Sequence, residues 1–187
     1  MTEIRDESVD VEIVDSALVY EGRVWDVRSD TFRYGDDEIV RQYVDHPGAA
    51  AVVAIDDRQR VAVIQQYRHP IRMRDWEIPA GLLDVEGEPP LETARRELAE
   101  EIDLVAGTIE PLLSIFTTPG GNDEVVHIFL ARDLSPAPET HAREHEEADI
   151  RLEWLPLAVV VDAVLAGRMR NGILVAGVLA AAERLRR

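Results

Sequence analysis

The stretch AGLLDVEGEPPLETARRELAEEIDL, from Ala80 to Leu104, decides the reading of this chain, and its centre is Arg96-Glu97-Leu98-Ala99-Glu100-Glu101. Glu97, Glu100 and Glu101 fall at i, i+3 and i+4, a spacing that puts them on one face of an α-helix. Like charges stacked in this way repel in water, so the face calls for a counter-charge. Mg²⁺ or Mn²⁺, which prefer oxygen ligands, would supply it. A solvated acidic face fits the helix alone equally well.

The flanks favour the cation site. Trp76-Glu77-Ile78-Pro79 reads as a strand leading into Gly81, and Pro89-Pro90 stands where proline is tolerated, at the first turn of a helix. The order is strand, loop, helix. Glu88 lies eight residues before Arg96, so a loop glutamate can fold back onto the helix arginine and fix the loop beside the acidic face.

On these residues the segment resembles the Nudix box, the signature of hydrolases that split a nucleoside diphosphate linked to another moiety. Gly81, Glu88, Arg96, Glu97, Leu98, Glu100, Glu101 and Leu104 match the pattern. Two positions depart from it. Six residues rather than five separate Gly81 from Glu88, which lengthens the loop. Asp103 stands where the box has glycine and is expected to close the helix in a left-handed conformation, which Asp tolerates better than most residues. Neither departure removes a carboxylate. The resemblance implies metal ligands in the carbonyl of Ala80 and in Glu97, Glu100 and Glu101, with Mg²⁺ the expected ion and Mn²⁺ the alternative. Gly81, Glu88 and Arg96 take the structural places of the box.

The chain has 187 residues, 46% of them hydrophobic, enough for a substantial core. Without cysteine it has no disulfide framework, no thiolate nucleophile and no zinc-thiolate site. The acidic start MTEIRDESVDVEIV lacks a basic-then-apolar signal, and no apolar run approaches a membrane span, so a cytoplasmic protein is expected. A formal net charge of -17 argues against nucleic acid as a partner. It also means that an anionic substrate needs a divalent ion and local arginines.

Residues 11–45 alternate in places, with a turn at Tyr34-Gly35-Asp36-Asp37, and read as hairpin-rich. Ala49 to Ile55 and Val61 to Tyr67 are apolar runs joined by the polar turn Asp56-Asp57-Arg58-Gln59, the pattern of buried strands. Ile109 to Phe116 and Val125 to Ala131 make a further pair. After a polar loop from Ser135 to Ala148, Ile150 to Leu155 reads as a strand, and Leu157 to Ala166 and Gly172 to Leu185 as helices. The expected fold is α/β, the Nudix α/β/α sandwich with a mixed sheet. Residues 1–45 form a strand-rich N-terminal arm and residues 46–187 the hydrolase domain.

Outside the box, Gln65-Gln66-Tyr67-Arg68 resembles the segment that lines the active site in the bacterial ADP-ribose pyrophosphatase branch, which places Arg68 to reach a diphosphate. Thr117 to Asn122 is a turn by composition. Pro119 lies fifteen positions beyond Leu104, about where that branch carries a proline, and Gly120 follows it. In His145-Glu146-Glu147-Ala148-Asp149 the branch carries a mobile catalytic glutamate, Glu147 or Glu146. Enzymes of this branch commonly dimerise through N-terminal strands, which makes Arg23, Trp25 and Tyr43 candidate contacts around the base. Ordinary core packing is the expectation for Trp25 from the residue type alone.

The resemblance therefore implies an Mg²⁺-dependent homodimer that cuts ADP-ribose to AMP and ribose 5-phosphate. A hydrolase of another nucleotide-sugar or of a nucleoside triphosphate is the alternative within the same chemistry. A Nudix module that senses ADP-ribose without cutting it is a third reading, and the intact Glu97, Glu100 and Glu101 argue against it.

Overall fold

A computed structural model describes residues 3–139 and 149–187. These fall into two compact units, one of residues up to His46 together with Thr118–Asp123, the other of Pro47–Thr117 and Glu124–Arg187.

The first unit is an antiparallel sheet of β1 (Ile13–Tyr20), β2 (Asp26–Tyr34) and β3 (Asp37–Asp45), in that order. Tyr34 pairs directly with Asp37, which leaves a two-residue loop, and Gly35 at φ 66° supplies the positive φ that such a tight hairpin requires. All eight residues of β1 are exposed, so apolar side chains stand on both its faces, Ile13 at 50% and Val19 at 60% exposure among them. Thr118–Asp123 joins this unit through Val44, whose N–H donates to Gly121 O (3.0 Å) and whose carbonyl accepts from Asp123 N–H (3.3 Å).

The second unit holds β4 (Ala49–Ala54), β5 (Arg60–Arg68), β6 (Met73–Glu77), β7 (Ala80–Leu82), α1 (Pro90–Ile102), β8 (Leu104–Phe116), β9 (Val125–Pro136), β10 (Arg151–Pro156), α2 (Leu157–Leu165) and α3 (Gly172–Arg186). One sheet runs β7-β4-β9-β8 and is mixed, because β4 pairs parallel with β9 and every other pair is antiparallel. The other sheet runs β10-β5-β6.

Every residue of β4 is buried, and its two faces feed different cores. Ala51 and Val53 pack with Val63, Ile78, Leu130 and the α3 residues Leu174 and Val178. Ala50, Val52 and Ala54 pack with Ile64, Phe129 and the α1 residues Ala94, Leu98 and Ile102. Helices therefore cover opposite faces, and a strand buried on both sides reads as a continuous apolar run rather than an alternation. Ile78 and Pro79 alone connect β6 to β7, so the chain changes sheet there, with Pro79 O accepting from Val52 N–H (2.8 Å).

The β8–β9 ladder is longer than the sequence reading. It extends to the pair Leu104↔Pro136, whereas the apolar runs place strand starts and ends at Ile109 and Ala131 and a loop from Ser135. Helix α1 hands over to β8 at Asp103 without a loop, and Ala137 N–H donates to Asp103 O (2.8 Å), which holds the far end of the ladder. The strand read over Trp76–Pro79 ends at Glu77, because the chain leaves its sheet at Ile78.

Candidate active site

Helix α1 begins at Pro89, extended as the N-cap, with Pro90 in the first turn. It ends at Asp103, whose φ of 56° and ψ of 37° are left-handed and turn its N–H back onto the carbonyls of Ala99 and Leu98. Asp thus does the closing work of the usual glycine. Thr93, Ala94, Leu98, Glu101 and Ile102 form the buried side. Glu101 is consequently sunk to 6% exposure at the edge of the core.

A carboxylate buried this deeply needs a donor. The Ala80 N–H provides it, at 2.9 Å from Glu101 Oε2. Strand β7 lies at the edge of its sheet, which leaves that N–H available to a side chain. Beside it, Gly81 leaves the space that the Glu97 carboxyl fills: a Cβ built on Gly81 would fall 2.1 Å from Glu97 Cδ and Oε1. The box glycine is required by the close approach of a side chain, not by its φ.

Arg96 gathers the remaining charges. Its Nη1 donates to Glu97 Oε1 (2.6 Å) and Glu100 Oε2 (3.2 Å), and its Nη2 to Glu88 Oε2 (3.2 Å). Burial works against the guanidinium's charge, but Glu88, Glu97 and Glu100 outweigh it and raise the pKa above its ordinary value. Glu88 also accepts from Thr93 Oγ1 (2.8 Å), and the Arg96 and Thr93 hydrogen bonds hold its carboxyl below the usual glutamate range. The loop that carries Glu88 turns at Gly87, φ 78°, with Glu88 N–H on Val85 O (3.1 Å). Part of the counter-charge that the acidic face calls for thus comes from an arginine of the same helix. Among the described residues, no group of three or more His, Asp or Glu side chains stands in metal-holding geometry. The candidate donors are nonetheless all oxygen, the chemistry of a hard divalent cation, and the room at Gly81 keeps Glu97 against β7.

At the end of β5, Arg68 grips Glu77 with both sides of its fork, Nε to Oε1 and Nη2 to Oε2, each 2.7 Å. Gln66 Nε2 adds a third donor to Glu77 Oε2 at 3.2 Å. Glu77 was not among the residues singled out in the sequence. Its signal, a lone acid between Trp76 and Ile78, acquires meaning only once the β5–β6 register pairs it with Ile64, next to the Gln-Gln-Tyr-Arg segment whose Gln66 and Arg68 reach it.

The NUDIX domain model matches residues 45–174. The chain belongs to the Nudix family. It is 44% identical over 174 residues to an ADP-ribose pyrophosphatase of Mycobacterium tuberculosis, covering 91% of this chain and 83% of that one. It is also 32% identical over 148 residues to a CMP-5'-(N-acetyl-N-hydroxy-3-aminopropyl)phosphonate hydrolase of Streptomyces rubellomurinus, covering 78% and 69%. A crystal structure of an ADP compounds hydrolase shares the fold, with a TM-score of 0.81 over 97% of both chains at 22% identity. Nudix hydrolases use divalent metal ions.

The other Nudix candidates belong to the first unit or lie outside the described residues. Arg23 is exposed. Trp25 is 46% exposed and stacks on His46, with ring centroids 5.6 Å apart, which corrects the expectation of core packing. The Tyr43 hydroxyl donates to Asp30 Oδ2 (3.2 Å). Pro119 and Gly120 are exposed in a turn closed by Gly121 N–H on Thr118 O (2.8 Å). Glu146 and Glu147 lie outside the described residues.

Proposed function

We propose that this Nudix enzyme hydrolyses the diphosphate bond of ADP-ribose, giving AMP and ribose 5-phosphate. The observation that carries the reading is the placement of Glu97 and Glu101 against β7 by Gly81 and the Ala80 N–H, in a chain 44% identical to an ADP-ribose pyrophosphatase. Glu97, Glu100, Glu101 and the Ala80 carbonyl would hold a divalent ion, Mg²⁺ or alternatively Mn²⁺. Such an ion offsets phosphate charge and lowers the pKa of a bound water. Arg68 binds the diphosphate, and Arg96 keeps Glu97 and Glu100 in place through its two short contacts. Glu147 or Glu146 takes or orients the proton of the attacking water, whose oxygen ends on phosphorus as the bridging P–O bond breaks. For Arg23, Trp25, Pro119 and Gly120, on the other unit, substrate contact rests on the resemblance alone.

A homodimer built through residues 1–45 is supported by the apolar side chains that β1 leaves exposed on both faces. A cytoplasmic location agrees with the absence of cysteine. No helix among the described residues is long and apolar enough to cross a membrane.

The phosphonate hydrolase relative favours one second reading, the same hydrolysis on another nucleotide derivative. Incubation with Mg²⁺ and a panel of ADP-ribose, nucleotide sugars, dinucleotides and triphosphates, with products resolved by chromatography, separates the readings. ADP-ribose should lead in kcat/KM and release AMP. A lead for a triphosphate or another nucleotide derivative moves the protein to the second reading, and no turnover of any panel member leaves the non-catalytic sensor.

A further inference from the structure

A buried carboxylate is costly unless its charge is matched and its lone pairs are filled. Glu77, 4% exposed on β6, is matched completely: Arg68 supplies two parallel hydrogen bonds of 2.7 Å and Gln66, itself 4% exposed, a third of 3.2 Å. The pair is markedly asymmetric. The Glu77 side chain is 6% exposed, whereas that of Arg68 is 47% exposed. A brace that served packing alone would bury both ends. Here a buried acid and a buried amide are committed to holding a cation whose outer side faces solvent.

The geometry of the grip fixes which side that is. A guanidinium has five N–H donors in a rigid plane, and the Nε and Nη2 edge is taken by Glu77. The Nη1 donors lie on another edge of the same plane, and among the described residues no hydrogen bond engages them. Arg68 also stands in the field of Glu101, which contributes to raising its pKa after Glu77 and against burial, so the guanidinium neighbours the carboxylate held by Ala80. Glu77 and Ala80 are separated only by the Ile78–Pro79 step at which the chain changes sheet.

We propose that Glu77 is a positioning residue that acts through Arg68: it locks the inner edge of the guanidinium so that Nη1 is presented, pre-oriented, to the anionic diphosphate of the substrate. This rests on the proposed hydrolysis of a nucleoside diphosphate derivative and adds a residue to it. Holding the fork in advance removes the ordering cost that a free arginine would meet on binding. The effect belongs chiefly to substrate capture and should appear in KM.

The test is a double-mutant cycle in the intact protein with Glu77→Gln, Arg68→Gln and the double variant, each assayed for kcat and KM on whichever panel substrate the wild type turns over fastest. Glu77→Gln keeps size but leaves an amide nitrogen facing one Arg68 N–H. It should raise KM about tenfold while kcat changes less than about threefold. The double variant should be no worse than Arg68→Gln alone, because Glu77 has nothing left to position. Glu77→Asp, which keeps the charge, should recover part of the lost affinity. Independent, multiplying losses, or an unchanged KM in Glu77→Gln, would overturn the proposal, as would failure of both Glu77→Gln and Glu77→Asp to fold. If the wild type prefers a substrate other than ADP-ribose, the proposed substrate fails while the cycle still decides the role of Glu77.

Discussion

Replacing Gly81 with alanine separates the demands of the fold from those of the site. Gly81 has an ordinary φ, so the new methyl group strains no backbone. It meets instead the carboxyl of Glu97, 2.1 Å from where Cβ would stand, and ordinary contact begins near 3.4 Å. The carboxyl must therefore retreat by roughly 1 Å, and a misplacement of that size at reacting groups can cost about 100-fold in rate. The retreat moves the far end of a flexible side chain and perturbs its contact with Arg96, a change worth about 1 kcal/mol for an off-rotamer torsion. In a chain of this length that lowers Tm by only about 2–4 °C. Product formation at saturating Mg²⁺ and thermal unfolding followed by circular dichroism, on the same preparation, give both numbers. A variant that keeps wild-type turnover would refute the argument that Gly81 sets the position of Glu97, and one that does not fold would refute the claim that the glycine serves the site rather than the scaffold.

Glu97→Gln and Glu101→Gln should each lose most of the activity while folding normally, since the Gln oxygen at position 101 still accepts the Ala80 N–H; assay at saturating Mg²⁺ with circular dichroism decides, and full turnover by either sinks the metal assignment. Glu88, held below its ordinary 4.5 by Arg96 and Thr93, favours the folded state above that pH and loses this contribution as the pH falls through its depressed folded-state value. Glu88→Gln should therefore be less stable than wild type at neutral pH, with the difference closing below about pH 4.5 in parallel urea titrations. At Asp103, glycine should be tolerated and valine should cost about 1–2 kcal/mol, because the residue sits at φ 56°; equal denaturation midpoints for the two variants would contradict this. Glu146→Gln and Glu147→Gln should give unequal losses, one of about 100-fold or more in kcat, the size of a lost general base, and one small. Near-normal kcat in both would move the base elsewhere.

What could be read from the residues followed from local chemistry. Gly35 and Asp36 marked a hairpin because a two-residue loop demands positive φ, and β4 and β5 were legible as apolar runs because both their faces are covered. The helix face of Glu97, Glu100 and Glu101 needed only the spacing. What escaped was non-local. The ends of β8 and β9 depend on pairing Leu104 with Pro136, which no periodicity in either segment announces. The role of Gly81 depends on a carboxyl sixteen positions away, and Glu77 looked ordinary because its partners lie on a neighbouring strand. The acidic face suggested a metal as its counter-charge, whereas Arg96 supplies part of that compensation from within the box.

The step at Ile78–Pro79 bears on the order in which the molecule assembles. Arg68 meets Glu77 across nine positions and Ala80 meets Glu101 across 21, so these contacts close short loops at little entropic cost. The parallel register of β4 with β9 joins residues about 77 positions apart, such as Ala50 and His127, and pairings of that range form slowly. The residues proposed to hold the metal and the diphosphate, Arg68 to Glu101, thus come from one tract whose contacts need no long-range strand pairing. Errors in late strand pairing would then surface as loss of solubility, with the Arg68–Glu77 and Ala80–Glu101 contacts already in place.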